Sequence, residues 1–240
     1  MSALIILSVV FAIIFILFSI YKKEKYKEQI RFDNELLCTV TSLTRGTEME
    51  RELVLSLLKH GVPPITIYHD LYVPKKSGGY AQVDMVVVTS VGIIVVEAKD
   101  YGGWIFGNGK QQQWTQVLAY GKKKYRFYNP ILQNMLHIHY LKEVCTQFYS
   151  IPFYNVAVFS DRSHLRELNF IPNNTFVTTQ HRLIEVIGHI KCSNPTAKYQ
   201  NKSEVINVLK RMVENGNKEG IEIEHIHNIH EAMGKERIFD

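Results

Sequence analysis

Asp84, Glu97 and Lys99 lie within one stretch, Gln82 to Lys99, that is otherwise mostly valine and isoleucine with a single turn. A turn centred between Ser90 and Val91 pairs residues whose numbers total 181. That register sets Asp84 opposite Glu97 and Gln82 opposite Lys99, and Glu97 shares a face with Lys99 because side chains alternate along a strand. Two carboxylates, an amide and an ammonium are thereby expected on one side of a buried hairpin. Like charges directly opposed across strands cost roughly 0.2–1 kcal/mol, and desolvating each ion in an apolar hairpin adds several more. Lys99 supplies one compensating charge. A divalent cation that prefers carboxylates and water, such as Mg²⁺, would supply the rest, and no neighbouring Cys or His argues for zinc. The plainer alternative is an ion pair of Lys99 with Glu97 or Asp84 at a sheet edge, since structural ion pairs are common.

The elements around these residues follow from pattern. A helix is predicted from about Glu48 to Lys59, with Leu53, Leu57 and Leu58 at helical spacing. Thr47 is its expected N-cap and Glu50 the partner in a capping box; His60-Gly61 and Pro63-Pro64 end it. Strands are predicted over 65–73, 80–89 and 92–98, and the last two are apolar at both parities, as in a sheet covered by helices on both faces. The glycine-rich segment 101–109 reads as irregular. A helix is predicted over 131–148, strands over 153–159 and 175–178, and helices over 182–190 and 203–214. The order is that of an α/β protein.

The chain has 240 residues, a formal net charge of +5, 46% hydrophobic and 21% charged residues. These values exclude a disordered chain, a collagen-like fibre and a polytopic membrane protein. Cys38, Cys145 and Cys192 are far apart and odd in number, which suits reduced thiols rather than a disulfide framework. Ala3 to Ile20 carries no charge and no proline; as a helix these residues would rise ~27 Å, just enough for a bilayer core. With Lys22, Lys23, Lys25 and Lys27 following it, the segment is expected to be a single-pass anchor in the cell membrane with its C-terminal side in the cytoplasm.

Five words occur in order: Gly78-Gly79-Tyr80-Ala81-Gln82-Val83-Asp84, Gly92-Ile93-Ile94-Val95-Val96-Glu97-Ala98-Lys99, Gly103-Trp104-Ile105-Phe106-Gly107, Trp114-Thr115-Gln116 and Asn129-Pro130-Ile131-Leu132-Gln133. Together with the Asp…Glu-x-Lys pattern they resemble the nuclease-related domain (NERD) family of the PD-(D/E)xK superfamily, over about Gly46 to Leu141. The resemblance implies a restriction-endonuclease-like core, a central mixed sheet flanked by helices. It also implies metal-dependent hydrolysis of phosphodiester bonds in nucleic acid, with Mg²⁺ as cofactor and Mn²⁺ as a substitute. Asp84, Glu97 and Lys99 match the catalytic trio. Glu50 matches the acidic position on the first helix, with Asp84, Glu97 and Glu50 as metal ligands. Two departures are Met49, where the family has Gly before that Glu, and Val83, where the superfamily's proline would stand.

On the substrate side the expected residues are Gln82, Gln116, Gln133, Lys122, Lys123, Lys124 and Arg126. No acidic residue occurs between Asp100 and Glu143, and the cations there are interleaved with Tyr120, Tyr125, Phe127 and Tyr128. Such a stretch suits a phosphate backbone; its alternative is a solvated loop near an anionic membrane. The expected partner is nucleic acid, DNA ahead of RNA, a preference the basic stretch itself does not decide. Trp104 and Trp114 are expected to pack the glycine-rich segment rather than to stack bases. His137 and His139 read as helix-surface residues, and His225, His227 and His230 as part of a mobile tail. The expected organisation is an anchor (1–21), a helical linker (22–45), a NERD core (46–160), an extension of the α/β domain (161–216) and a polar tail (217–240). The rival to an enzyme is a membrane-tethered module that binds nucleic acid or protein with a silent site.

Overall fold

A computed structural model describes residues 2–217, leaving aside the side chains of 2–6, 9, 10 and 12. The elements are α1 (Ser2–Leu37), α2 (Glu48–Lys59), β1 (Ile67–Pro74), β2 (Tyr80–Thr89), β3 (Gly92–Lys99), β4 (Gly103–Asn108), β5 (Gln113–Leu118), β6 (Lys123–Tyr128), α3 (Pro130–Val144), β7 (Phe153–Phe159), β8 (Ser163–Asn169), β9 (Thr175–Thr179), α4 (Leu183–Ser193) and α5 (Lys202–Asn215). They form a mixed α/β fold with two sheets flanked by helices.

The main sheet has the order β1-β2-β3-β7-β9. Its first two pairings are antiparallel and its last two parallel. Both faces are covered, as strands apolar at both parities require. On one face Met85, Val87, Ile94 and Val96 meet Leu53, Leu57 and Leu58 of α2 and Leu183, Ile187 and Ile190 of α4. On the other, Val86, Ile93 and Val95 meet Leu141 of α3 and Val205, Leu209 and Met212 of α5. Gly92 sits where the chain entering β7 passes close by. Its φ is +145°, and a Cβ there would lie 2.3 Å from the Pro152 carbonyl oxygen, so no side chain fits.

Helix α2 begins at its predicted residue because Thr47 caps it, Oγ1 accepting from the Glu50 N–H at 3.3 Å. Helix α3 is shorter than predicted, ending at Val144 before a 3-10 turn over Thr146–Tyr149.

The second sheet, β6-β5-β4-β8, was not expected. Segment 101–109 is not irregular: it contains β4, and the basic stretch that follows contains β5 and β6. One face of this sheet packs on the core. Ile105 and Trp114 pack with Ile131, Ala157 and Phe159, and the Trp114 ring stacks on Phe159 at 6.1 Å with 5° between planes. Three strands of six residues with one buried face give a weak pattern beside the glycines and lysines that interrupt it.

Helix α1 runs unbroken for 36 residues, so the expected anchor and linker are one helix up to Leu37. Its C-terminal end docks on α2 through buried Leu37 and a Lys59 Nζ–Asp33 Oδ2 bridge of 2.7 Å. The expected span at 3–20 begins among side chains outside the described set. Among the described residues no helix is long and apolar enough to cross a membrane, so the fold lends that expectation no support. The tail histidines lie outside the described residues.

Candidate functional site

The β2–β3 ladder follows the register read from the turn, each pair totalling 181, and it stops at Met85–Val96. Beyond that point β2 continues beside β1 as far as Tyr80, while β3 continues beside β7 as far as Lys99. The sheet forks at the next level, that of Asp84 and Glu97. There a side chain replaces the missing ladder bond: Asp84 Oδ2 accepts the Ala98 N–H at 2.7 Å.

The neighbouring strand is distorted at the same level. In the β1–β2 ladder His69 pairs Met85 and Leu71 pairs Val83, but the intervening Asp70 and Asp84 do not pair, and Asp70 has φ +54°. Tyr68 and Leu71 both pack toward α3 and α5, as do Val83 and Val86. Residues three apart point to opposite faces in a regular strand, so β1 and β2 turn over together here. A non-glycine residue in the left-handed region costs roughly 1–2 kcal/mol, with Asp among the tolerant types. Arg45 holds Asp70 through Nε to Oδ2 and Nη2 to the carbonyl, both at 2.8 Å, and Gln82 Nε2 donates to Asp70 Oδ1 at 2.7 Å.

The fork opens a cleft of about 460 Å³ lined by Glu50, Gln82, Asp84, Glu97, Lys99, Gln133 and His137, with Lys75 and Tyr80 at its wall. Lys99 Nζ donates to Glu97 Oε1 at 2.6 Å and to Gln133 Oε1 at 3.0 Å. Glu97 is almost wholly buried, and its other oxygen, Oε2, has no hydrogen-bond partner among the described residues. His137 Nδ1 lies 3.4 Å from it and is itself buried, without a hydrogen bond among the described residues. Glu50 is different. Its Oε1 accepts from the Thr47 hydroxyl at 2.7 Å, and its Oε2 meets His69 Nε2 at 3.2 Å. His69 Nδ1 in turn meets Thr41 Oγ1 at 2.8 Å.

Electrostatics separates the three carboxyls. Burial, then the charges of Glu97 and Glu50, push Asp84 well above the usual carboxylate range, against the Ala98 N–H and Lys99. Burial opposes ionisation of Glu97 too, but His137 and Lys99 outweigh it and hold that carboxyl below its ordinary value. Glu50 is held low in the same way, its burial outweighed by His69 and Thr47. Burial works against the Lys99 ammonium, yet Glu97 and Asp84 raise its pKa overall.

The cleft therefore gathers three carboxyls around Lys99, and Glu97 Oε2 is met by the His137 ring at 3.4 Å without a hydrogen bond. This fits a small hard cation held by one or two carboxylates and several waters. Among the described residues no three His, Cys, Asp or Glu side chains are gathered as ready metal ligands, so the expected set of Asp84, Glu97 and Glu50 is not closed around one point.

Of the residues expected at the site, Asp84, Glu97, Lys99, Glu50, Gln82 and Gln133 meet in the cleft. Gln82 turns to Asp70 rather than to Lys99. Gln116 is elsewhere: on β5, donating to the Gly102 carbonyl at 2.8 Å. Lys122, Lys123, Lys124 and Arg126 also lie outside the cleft, in the turn before β6 and on β6, an edge strand of the second sheet. His137 is not a helix-surface residue but a buried neighbour of Glu97; its spacing of four from Gln133 on α3 was the available signal. His69, Asp70 and Arg45 have no counterpart among the residues expected from sequence. Two adjacent polar residues inside an otherwise apolar strand were the hint for the first two.

The nuclease-related domain model matches residues 45–160, and the fold expected of that family is the PD-(D/E)xK one. An uncharacterized protein of Bacillus anthracis is 34% identical over 103 residues, covering 43% of this chain and 47% of that protein. The matched stretch thus spans about half the length of that relative. No solved structure matches. The fork at Asp84 and Glu97 lies inside the segment, residues 45–160, that the nuclease-related domain model matches.

Proposed function

We propose that this chain is a metal-dependent nuclease that hydrolyses phosphodiester bonds, DNA ahead of RNA, and that its N-terminal helix tethers it to a membrane. The observation that carries the reading is the meeting of Asp84, Glu97 and Lys99 at the fork, with a buried Glu97 oxygen that makes no hydrogen bond among the described residues. Asp84 and Glu97 would hold Mg²⁺ or Mn²⁺, with Glu50 reaching it through water. When bound, the ion would lower the pKa of a coordinated water and offset charge developing on the phosphate.

The protein's own groups do the rest. Lys99, fixed by Glu97 and Gln133, presents an ammonium to the phosphate oxygens or to the attacking water. His137, 3.4 Å from Glu97 Oε2, helps keep that carboxyl ionised. The fixed Glu50–His69 pair keeps a third negative charge near Asp84. A carboxyl as reluctant to ionise as Asp84 is one that a cation would convert to its charged form.

The test uses the full-length chain with single- and double-stranded DNA and RNA, in Mg²⁺, in Mn²⁺ and in chelator. Metal-dependent cleavage lost in Asp84→Ala and Lys99→Ala supports the enzyme. Binding without cleavage, indifferent to chelator, points to the silent-site module, which draws on the closed 2.6 Å Lys99–Glu97 pair.

The tether rests on the 18 uncharged residues of 3–20 and the lysines after them. Ile13 to Phe18 are exposed all round α1, a state costly in water and favourable in lipid. Retention of the full chain in the membrane pellet after alkaline carbonate washing supports it; release into the supernatant removes it.

A further inference from the structure

The second sheet has two unlike faces. Directly opposed residues of neighbouring strands share a face. Ile105, Trp114 and Phe127 point inward to the core. The other parity points outward. Trp104 opposes Val117 and Phe106 opposes Thr115, and across the next pair Val117 opposes Lys124, Thr115 opposes Arg126 and Gln113 opposes Tyr128. On the far side, Trp104 opposes His164 of β8, and the Arg166 guanidinium lies over the Trp104 ring, 5.2 Å from its centroid. Lys124, Arg126 and Arg166 are exposed, and Tyr128 is 48% exposed. Strands β4 to β6 hold no acidic residue. The two tryptophans, alike in sequence, are therefore divided: Trp114 is core, whereas Trp104 is on the outer face.

From this juxtaposition we infer that the outer face of β6-β5-β4-β8 is a binding platform for single-stranded nucleic acid. Its cations, Lys124, Arg126 and Arg166, would track the phosphates while Trp104, Phe106 and Tyr128 stack bases. The inference rests on the nuclease reading for the class of ligand and adds where the strand lies and in what form. The physical case is the pairing of planar rings with positive charge on one sheet face whose strands β4 to β6 bear no acid, Glu167 of β8 being the one acidic residue among the four strands. Phosphate contact alone would serve a duplex equally well. Tyr128 is exposed and Trp104 and Phe106 are half-buried; rings that reach the surface add affinity only for bases already out of a helix, because stacking needs a free base face. The platform also accounts for the basic stretch, whose residues stand on this sheet and not in the cleft.

The test uses full-length protein in detergent with EDTA, so that binding is read without cleavage. The probes are fluorescein-labelled oligothymidylate of 15 nucleotides and a 15-base-pair duplex. Wild type is expected to bind the single strand at least tenfold more tightly than the duplex and to show quenching of tryptophan emission, which Trp104→Phe abolishes. Trp104→Ala/Phe106→Ala should weaken single-strand binding about tenfold with the salt dependence unchanged. Lys124→Glu/Arg126→Glu, on an exposed edge where folding is not at stake, should weaken binding and reduce the log–log salt slope by about 1.4. Equal affinity for duplex and single strand, or binding within twofold of wild type in both double variants, overturns the inference. Parallel cleavage assays in Mg²⁺ separate the two readings. If wild type cleaves nothing while these variants lose binding, the nuclease reading falls and the platform stands. If wild type cleaves and the variants bind as it does, the platform alone falls.

Discussion

Glu50 and Asp84 are carboxylates of one cleft, yet their surroundings are opposite in kind. Both oxygens of Glu50 are engaged, by the Thr47 hydroxyl and by His69, and the pair is sealed against Gly46. A Cβ at Gly46, where φ is +63°, would lie 2.5 Å from Glu50 Oε2 and 2.7 Å from the His69 ring. Asp84 has one backbone donor and two other carboxylates for neighbours, and its partner Glu97 keeps an oxygen with none. A satisfied buried charge holds a fold together, whereas an unsatisfied cluster raises its energy and calls for a further ligand. The Glu50 side thus reads as framework and the Asp84 side as working site.

The sharpest way to break that contrast is mutagenesis with two readouts. Asp84→Asn and Lys99→Ala are expected to lower metal-dependent cleavage by about 10²–10³-fold or more. Asp84→Asn should melt no lower than wild type in chelator, since a like charge has been removed. A melting temperature well below wild type would place Asp84 in the framework. His69→Ala should do the reverse. By stripping a buried carboxylate of its partner it is expected to cost roughly 3–5 kcal/mol in urea unfolding; a loss below about 1 kcal/mol would mean the Glu50–His69 pair holds nothing.

The pH dependence of metal-free stability sharpens the contrast further, because the two groups have opposite signs. Asp84 has a raised folded pKa, so its contribution is fully present below the unfolded value of 3.8 and is lost as pH rises through the folded value. Glu50 has a depressed folded pKa, so its contribution is present above the unfolded value of 4.5 and is lost as pH falls through the folded one. Urea midpoints measured from pH 3 to 8 should show the Asp84→Asn advantage growing with pH. The Glu50→Gln deficit should instead shrink toward acid. Parallel curves for the two variants would erase the distinction. The smallest effect is expected far from the cleft: Lys59→Ala breaks the part-exposed bridge to Asp33 that helps dock α1 and should cost less than about 1 kcal/mol.

Much of the main sheet was legible because its signals are local. The β2–β3 register followed from a two-residue turn and from apolar residues at both parities, and α2 followed from Thr47 and the leucine spacing. The convergence of Asp84 with Glu97 came with that register. The second sheet was not legible. Lys-Lys-Tyr-Arg-Phe-Tyr pairs as a strand only because Trp114 and Phe127 find Phe159, from β7, to pack on. Nor was the division between Trp104 and Trp114, which depends on which face of a sheet each residue presents.

By itself the sequence determined which carboxylates oppose each other, because strand alternation and a short turn fix register with no help from the rest of the chain. Only the tertiary structure decided that the strands part there, that Asp70 turns β1 over beside them, and that His69 and His137 reach Glu50 and Glu97. Those contacts join residues 19 or more positions apart across packed layers, where neither spacing nor propensity carries information and the fit of helices onto the sheet selects the neighbours.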